Sequence, residues 1–205
     1  MGKPKGAQLQ DGKGDEQETR TRILTAARQL MAQKGYKGAT TRQIAELAGV
    51  NEVTIFRHFK NKERILLELL EDLTDIRSLL EQSTQASCED VKEFLKHYAR
   101  SYFGMLVERK EILMICMIEA DNNPEVVNLF SRIPMTAVDV LSVKLQEMHR
   151  QGKLPAADFC TAALMFVSTF FYAFMGMYRV KVEGIQLEPL YESAAEILVR
   201  GMVPS

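Results

Sequence analysis

The chain has 205 residues, 46% of them hydrophobic and 26% charged, with a formal net charge of −1. That balance supports a folded globular protein of one domain or two small ones and excludes a disordered chain. Its three cysteines, Cys88, Cys116 and Cys160, are far apart and lack metal-ligand spacing, which suggests neither a disulfide framework nor a zinc site and predicts buried free thiols in a reducing compartment.

The small net charge hides an asymmetry. Residues 1–66 carry 13 Lys/Arg against 7 Asp/Glu, a net +6, and the remainder carry 13 against 20, a net −7. A basic head on an acidic body is the pattern expected when only the head meets a polyanion, because neutralised phosphates supply most nucleic-acid affinity.

In chain order, residues 1–15 read as a disordered Gly- and Lys-containing tail with no apolar core of a secretory signal, so a cytoplasmic location is expected. Lys3, Lys5 and Lys13 could track a groove as a flexible arm, though a solvated tail is the simpler reading. From Thr19 onward apolar residues recur at helical spacing and no sustained two-residue alternation appears, so the fold class is all-α, with about nine helices. Ile23, Ala26, Ala27, Leu30 and Met31 make the inner stripe of a first helix, with Asp15–Glu18 as its acidic opening turn and Gly35 as its stop.

Thr40 with Gln43 predicts a capping box opening a second helix, whose Ile44, Ala45 and Ala48 form a small inner face. Gly49 supplies a tight turn, and Asn51 caps a third short helix. On that helix Val50, Ile55, Phe56 and Phe59 are expected to point mainly inward, leaving Glu52, Val53, Thr54, Arg57 and His58 outside. Two short helices joined by a Gly turn, the second polar and basic, are the geometry that fits a helix into the major groove of DNA.

Residues 62–80 form the longest amphipathic run, from Ile65 to Leu80, with Asn61 as N-cap; this helix is expected to bridge the head to the body. Val91 to Leu106 and Ile112 to Ile118 follow as helices. Pro124 can open a helix that Pro134 should break or kink, reaching Arg150. The last helices are expected at Ala156–Val180 and Pro189–Arg200. Ala162–Tyr178 holds no charge; it lies at the short edge of a bilayer span and reads better as a helix buried within the subunit and against a second one.

Residues 40–66 resemble the signature of the TetR family of bacterial regulators, carried by Thr40-Thr41, Ile44-Ala45, Ala48-Gly49-Val50, Thr54, Phe59, Lys62-Glu63 and Leu66. The flanking helices extend the resemblance over about the first 70 residues. Asn51 replaces a frequent Ser, Val53 a small residue, and Phe56 and His58 stand where tyrosines are frequent; Phe56 brings no hydroxyl for a phosphate, whereas His58 can still donate. The resemblance implies a helix-turn-helix domain at 16–63 and a ligand-binding and dimerisation domain at 64–205.

With that resemblance, Tyr36, Thr40, Thr41, Arg42, His58 and Lys62 are the expected phosphate anchors, and Asn51, Glu52, Val53, Thr54 and Arg57 face base edges or flanking backbone. Glu52 reads as a cytosine acceptor or as a brake on nonspecific binding, and Val53 as a contact for a thymine methyl. A two-fold dimer would place two heads on a palindromic operator in double-stranded DNA. The resemblance puts its interface on the last two helices, with Ala162, Ala173, Gly176, Ala194 and Ala195 permitting close crossing.

Phe94, Tyr98, Tyr102, Met105, Met117, Phe130, Phe166 and Phe170, with Met114, Met135 and Phe174 nearby, could line an adaptable apolar pocket for a small apolar or amphipathic ligand, or be ordinary core. His97, Glu119 and Asp121 are its possible polar partners. No cofactor or metal is expected. Neither a phosphate loop, a nucleophile elbow nor a metal-binding His motif occurs, and His58, His97 and His149 are scattered, which argues against an enzyme. A DNA-binding dimer without a ligand remains the alternative.

Overall fold

The computed structural model describes residues 11–74, 76–85, 90–120 and 123–202. Among these every element is helical: α1 (Asp11–Gly38), α2 (Thr41–Ala48), α3 (Glu52–Phe59), α4 (Lys62–Thr74), α5 (Arg77–Thr84), α6 (Val91–Glu108), α7 (Lys110–Glu119), α8 (Pro124–Arg150), α9 (Phe159–Met175), a π-helical turn (Gly176–Val180) and α10 (Leu187–Gly201). The expectations for Lys3, Lys5, Cys88 and Asp121 lie outside the described residues.

The expected stripe of α1, Ile23, Ala26, Ala27, Leu30 and Met31, is buried. The helix is described from Asp11, so residues 11–15 are helical, and Asp15, Glu16 and Glu18 lie inside the helix rather than opening it. Gly35 has φ 71° and ψ 169° inside this helix, a left-handed φ that L side chains avoid, so the path turns there and a last turn runs on to Gly38.

The run at 62–80 is two helices, not one. α4 ends at Thr74 and α5 starts at Arg77, after Ile76 at φ −92° and ψ −9°. Steps of three and four continue through the break because each half has its own buried stripe, with Ile76 and Leu80 inside and Leu79 outside. α5 packs on α6 and α8, so tertiary contact, not periodicity, sets where the chain turns.

Pro134 lies within a single helix, α8. Nine side chains of α8, from Val126 to Met148, are buried, and α8 packs on α4, α5, α7 and α9; burial along both halves outweighs the local loss of one backbone hydrogen bond. Asn123 caps it, its Oδ1 accepting from the Glu125 and Val126 amides at 3.0 and 3.3 Å.

α9 starts three residues later than expected because Asp158 is its cap, accepting from the Cys160 and Thr161 amides at 3.1 Å. Phe159, Phe166, Val167, Phe170 and Phe174 are buried, but Leu164, Met165 and Tyr172 are exposed, so within the protomer the helix is covered on one side only. α8 and the 159–180 segment have the length and composition of membrane spans, with 39% and 50% of their apolar windows buried inside the protomer.

Of the small residues expected between subunits, Ala162, Ala173, Gly176 and Ala195 are buried inside the protomer. A Cβ on Gly176 would stand 2.9 Å from Ile185 Cδ1, so this glycine lets the 181–186 connection fold back and is not free for a second chain. Of the cysteines, Cys116 is buried and its thiol is pushed up to about 12, by burial first and by Glu119 second; Cys160 is exposed, contrary to expectation.

Candidate DNA-reading head

The head is built from the caps outward. Thr40, in extended backbone at φ −94° and ψ 153°, accepts from the Gln43 amide at 3.2 Å and so satisfies one free N–H at the start of α2. The return bond, from the Thr40 amide to the Gln43 side-chain oxygen, is long at 3.4 Å. The same carboxamide turned over reaches Gly38 O at 3.2 Å and Lys34 Nζ at 3.3 Å, so the Thr40 hydroxyl carries this cap.

Gly49 closes α2 in the left-handed region, φ 67° and ψ 38°, its amide reaching the Ala45 and Glu46 carbonyls. Any side chain would be strained there. Asn51 then caps α3, its Oδ1 accepting from the Val53 amide at 3.0 Å. The two short helices are further tied at their N-termini, where the Thr41 hydroxyl donates to Glu52 Oε1 at 2.6 Å.

α4 holds this unit from below. Lys62 Nζ donates to the carbonyls of Tyr36 at 2.7 Å and Ala39 at 2.9 Å and sits 4.3 Å from the centre of the Tyr36 ring. It thereby neutralises the carbonyl end of α1. Burial moves the Lys62 ammonium down from its ordinary value, against an opposing pull from Glu119, and burial raises the Tyr36 phenol, with Glu63 and Glu119 adding to it. Arg20 ties α3 to α4 in a similar way: it pairs with Glu68, lies 4.7 Å over the Phe59 ring and donates to His58 O at 3.4 Å.

These bonds sort the expected site residues. Thr40, Arg42, Asn51, Val53 and Arg57 are exposed, and Tyr36, Thr41, Glu52, Thr54, His58 and Lys62 are half-buried. Lys62, expected to anchor a phosphate, has its ammonium on two carbonyls and an aromatic face. Glu52, expected to face base edges, accepts from Thr41. His58 keeps Nε2 shielded without a hydrogen-bond partner among the described residues, and its ring lies against Phe59 with centroids 6.2 Å apart.

Phe56 is the reverse case: expected mainly inward, it is 48% exposed beside Val53 at 72%. Ile55 and Phe59 alone fill the inner face of α3, and Phe56, about 100° round the helix from Ile55, falls at the edge of that face and turns outward. Lys60, which the sequence reading passed over, stands exposed at the end of α3 with φ 64°. Its signal was the short FKNK junction, where a residue between two helices must leave helical geometry.

The body separates the expected pocket residues. Phe94, Tyr98, Tyr102, Met105, Phe166 and Phe170 are buried, while Met117 and Phe130 are half-buried. Phe166 and Phe170, with ring centroids 5.0 Å apart, continue to Tyr191 of α10, 5.4 Å from Phe170. Phe130 instead meets Phe171, centroids 6.0 Å apart. The Tyr98 hydroxyl donates to Ala137 O at 2.6 Å, whereas the buried Tyr102 hydroxyl has no hydrogen-bond partner among the described residues. Of the expected polar partners, His97 is exposed, and Glu119 is buried where its charge acts on Tyr36, Lys62 and Cys116.

A capped helix pair on a rigid third helix, carried by an otherwise all-helical body, defines a helix-turn-helix transcriptional regulator. Residues 23–69 match the family model of bacterial regulatory proteins of the tetR family. The chain is 31% identical over 186 residues to the HTH-type transcriptional regulator YvkB of Bacillus subtilis, covering 90% of this chain and 97% of the other. The HTH-type regulator UidR of Escherichia coli matches at 23% over 143 residues, 68% of this chain and 71% of its own.

In structure, a TetR-family regulator from Mesorhizobium loti superposes with a TM-score of 0.75 at 18% identity, covering 91% of this chain and 97% of that one. FadR of Bacillus subtilis, solved in complex with stearoyl-CoA, gives 0.70 at 25% identity, with 89% and 99% covered. The chain belongs to the TetR family and is a DNA-binding transcriptional regulator.

Proposed function

We propose that the protein is a cytoplasmic repressor that binds a palindromic operator as a homodimer and leaves it when the body takes up a small apolar or amphipathic ligand. The observation that carries the DNA half is the rigid setting of α3, whose two ends are fixed by Asn51, the Thr41–Glu52 bond and Arg20 while Val53, Phe56 and Arg57 face solvent. In this reading Thr40, Arg42, Arg57, Lys60 and the opening amides of α2 meet phosphates, and Val53 and Phe56 meet bases. Lys62 and Glu52 brace the head from within, Asn51 caps, and Tyr36, Thr41, Thr54 and His58 support the surface from behind.

The face left open by α9 and α10 supports the dimer. Met165, Tyr172 and Ile197 are 65%, 76% and 71% exposed, and a groove of about 490 Å³, lined by Ala162, Met165, Phe166, Ala194, Ile197 and Leu198 among others, runs between the two helices. An apolar face of this kind is covered at low cost by its own copy about a two-fold axis. The ligand half rests on the Tyr102 hydroxyl, buried without a hydrogen-bond partner among the described residues, since such a group gains a hydrogen bond from any acceptor that enters. FadR, solved with stearoyl-CoA, makes an acyl chain a reasonable first ligand to try.

α4 links the halves: Lys62 holds the head, and the next residue, Glu63, accepts from Asn123 Nδ2 at the start of α8. A ligand weakens DNA binding only in so far as it prefers a different α4 position. Selection of bound duplexes from a random pool tests the reading. A palindromic consensus bound by a dimer in light scattering is expected; asymmetric or no enrichment would overturn it, and acyl-CoA of graded chain length should then release the selected duplex.

A further inference from the structure

The two polar side chains at the start of α3 are already committed. Asn51 Oδ1 accepts from the Val53 amide at 3.0 Å, and Glu52 Oε1 accepts from the Thr41 hydroxyl at 2.6 Å. Both bonds hold the helix pair together and fix these two side chains in place, so only their remaining acceptor sites are left for the exocyclic amine of cytosine or adenine. The exposed stretch beyond them presents Val53 and Phe56, followed by Arg57 and Lys60.

Val53 and Phe56 are three residues apart, one turn of helix and roughly 4.5 Å along its axis, which is close to the step of about 3.4 Å between base pairs in duplex DNA. Isolated exposed apolar residues are ordinary on protein surfaces. Here, two occupy one face of the helix that the helix-turn-helix presents, on a head with net charge +6 over residues 1–66, where basic residues on either side bring the phosphates near. In the major groove the one apolar feature of a base edge is the C5 methyl of thymine.

We propose that Val53 and Phe56 are specificity-determining residues that read thymine C5 methyl groups at neighbouring steps of each half-site, so that this regulator selects its operator largely by methyl contact and not by hydrogen bonds to base edges. The inference rests on the proposed use of α3 as the DNA-reading helix. Arg57 and Lys60 supply affinity, and the two apolar side chains supply the choice of base.

Uracil tests this directly, because it keeps every hydrogen-bonding group of thymine and lacks only the methyl. A duplex selected from a random pool is remade with deoxyuridine at single thymines of the half-site, and affinity is measured for the wild type, Val53→Ala and Phe56→Ala. Both variants are exposed and retain helix propensity, so their folds are checked only by circular dichroism. Deoxyuridine at two or more positions should weaken the wild type about fourfold each, the worth of one buried methyl. Each alanine variant should bind the thymine duplex more weakly and lose the penalty at one position only. Equal wild-type affinity for thymine and uracil duplexes would overturn the inference while leaving DNA reading by α3 intact; penalties that persist in both variants would also overturn it, by assigning the methyls to other residues. Failure of the wild type to enrich any duplex would overturn the inference and the proposed reading together.

Discussion

The head and the body of this protein spend their polar groups differently. In the head, polar side chains cap the short helices and join them to their neighbours: Thr40 to Gln43 and Asn51 to Val53 cap α2 and α3, while Thr41 to Glu52 and Lys62 to Tyr36 and Ala39 tie α2 to α3 and α4 to the end of α1. In the body the interior is held by side chains of Phe, Leu, Ile and Val, and its one buried tyrosine bond, Tyr98 to Ala137, is matched by a Tyr102 hydroxyl without a partner among the described residues. Directional bonds fix one geometry, which a DNA-reading surface needs; apolar packing tolerates rearrangement, which a sensing body needs.

Two phenylalanines of the same short helix give the sharpest way to break this comparison. Phe59→Ala should cost about 3–5 kcal/mol in denaturant unfolding, because the ring is buried under Arg20 and against the core. Phe56→Ala should stay within roughly 0.5 kcal/mol of wild type, as an exposed position does, and lose DNA affinity instead. Equal destabilisation by both would mean that the outer face of α3 is packed and not presented.

A smaller effect separates brace from anchor. Lys62→Met should lower stability by about 1–2 kcal/mol, leaving the carbonyls of Tyr36 and Ala39 without their donor. The slope of log affinity against log salt should be unchanged, whereas Arg57→Ala should lower it by about one per protomer. A reduced slope in the Lys62 variant would restore it to the phosphate contacts.

What could be read ahead of the structure follows the same division. The caps at Thr40 and Asn51 and the turn at Gly49 are local chemistry, each legible from three or four residues, and the structure has all three. The outward turn of Phe56 and the inward turn of Lys62 were not legible, because a residue type states what a side chain can do and not which neighbours reach it first. In the body, periodicity located the helices, but the end of α4 at Thr74, the start of α5 at Arg77 and the continuity through Pro134 depend on what α5 and α8 pack against. The candidate pocket is least legible of all, since a Phe lining a cavity and a Phe filling a core leave the same trace in sequence.

Within the body, Tyr98 and Tyr102 sharpen the contrast by about one hydrogen bond. Tyr98→Phe removes the bond to Ala137 O and should cost about 1 kcal/mol. Tyr102→Phe removes a hydroxyl that is buried without a hydrogen-bond partner among the described residues, so stability should hold or rise slightly, while the affinity for any ligand that takes this hydroxyl falls. A loss of stability comparable to that of Tyr98→Phe would show that Tyr102 serves the fold and not a ligand.

The smallest effect concerns pH. α10 is tied to α6 by Glu192, which pairs with Lys92 and Lys96, the latter at 2.7 Å. Hydrogen bonds from these two ammonium groups hold its carboxyl down from 4.5 to about 2, and both lysines move up in turn, with Glu192 the largest cause for each. A depressed carboxyl stabilises the folded state above its unfolded value and loses that contribution as pH falls from about 4.5 towards 2. The Glu192 carboxylate is 46% exposed, so the loss should be small and should shrink further in high salt. In Glu192→Gln the stability lost between about pH 5 and about pH 3 should be measurably less than in wild type. An identical pH profile in the two proteins would show that the α6–α10 contact rests on the packing of Phe103 against Tyr191 and not on these charges.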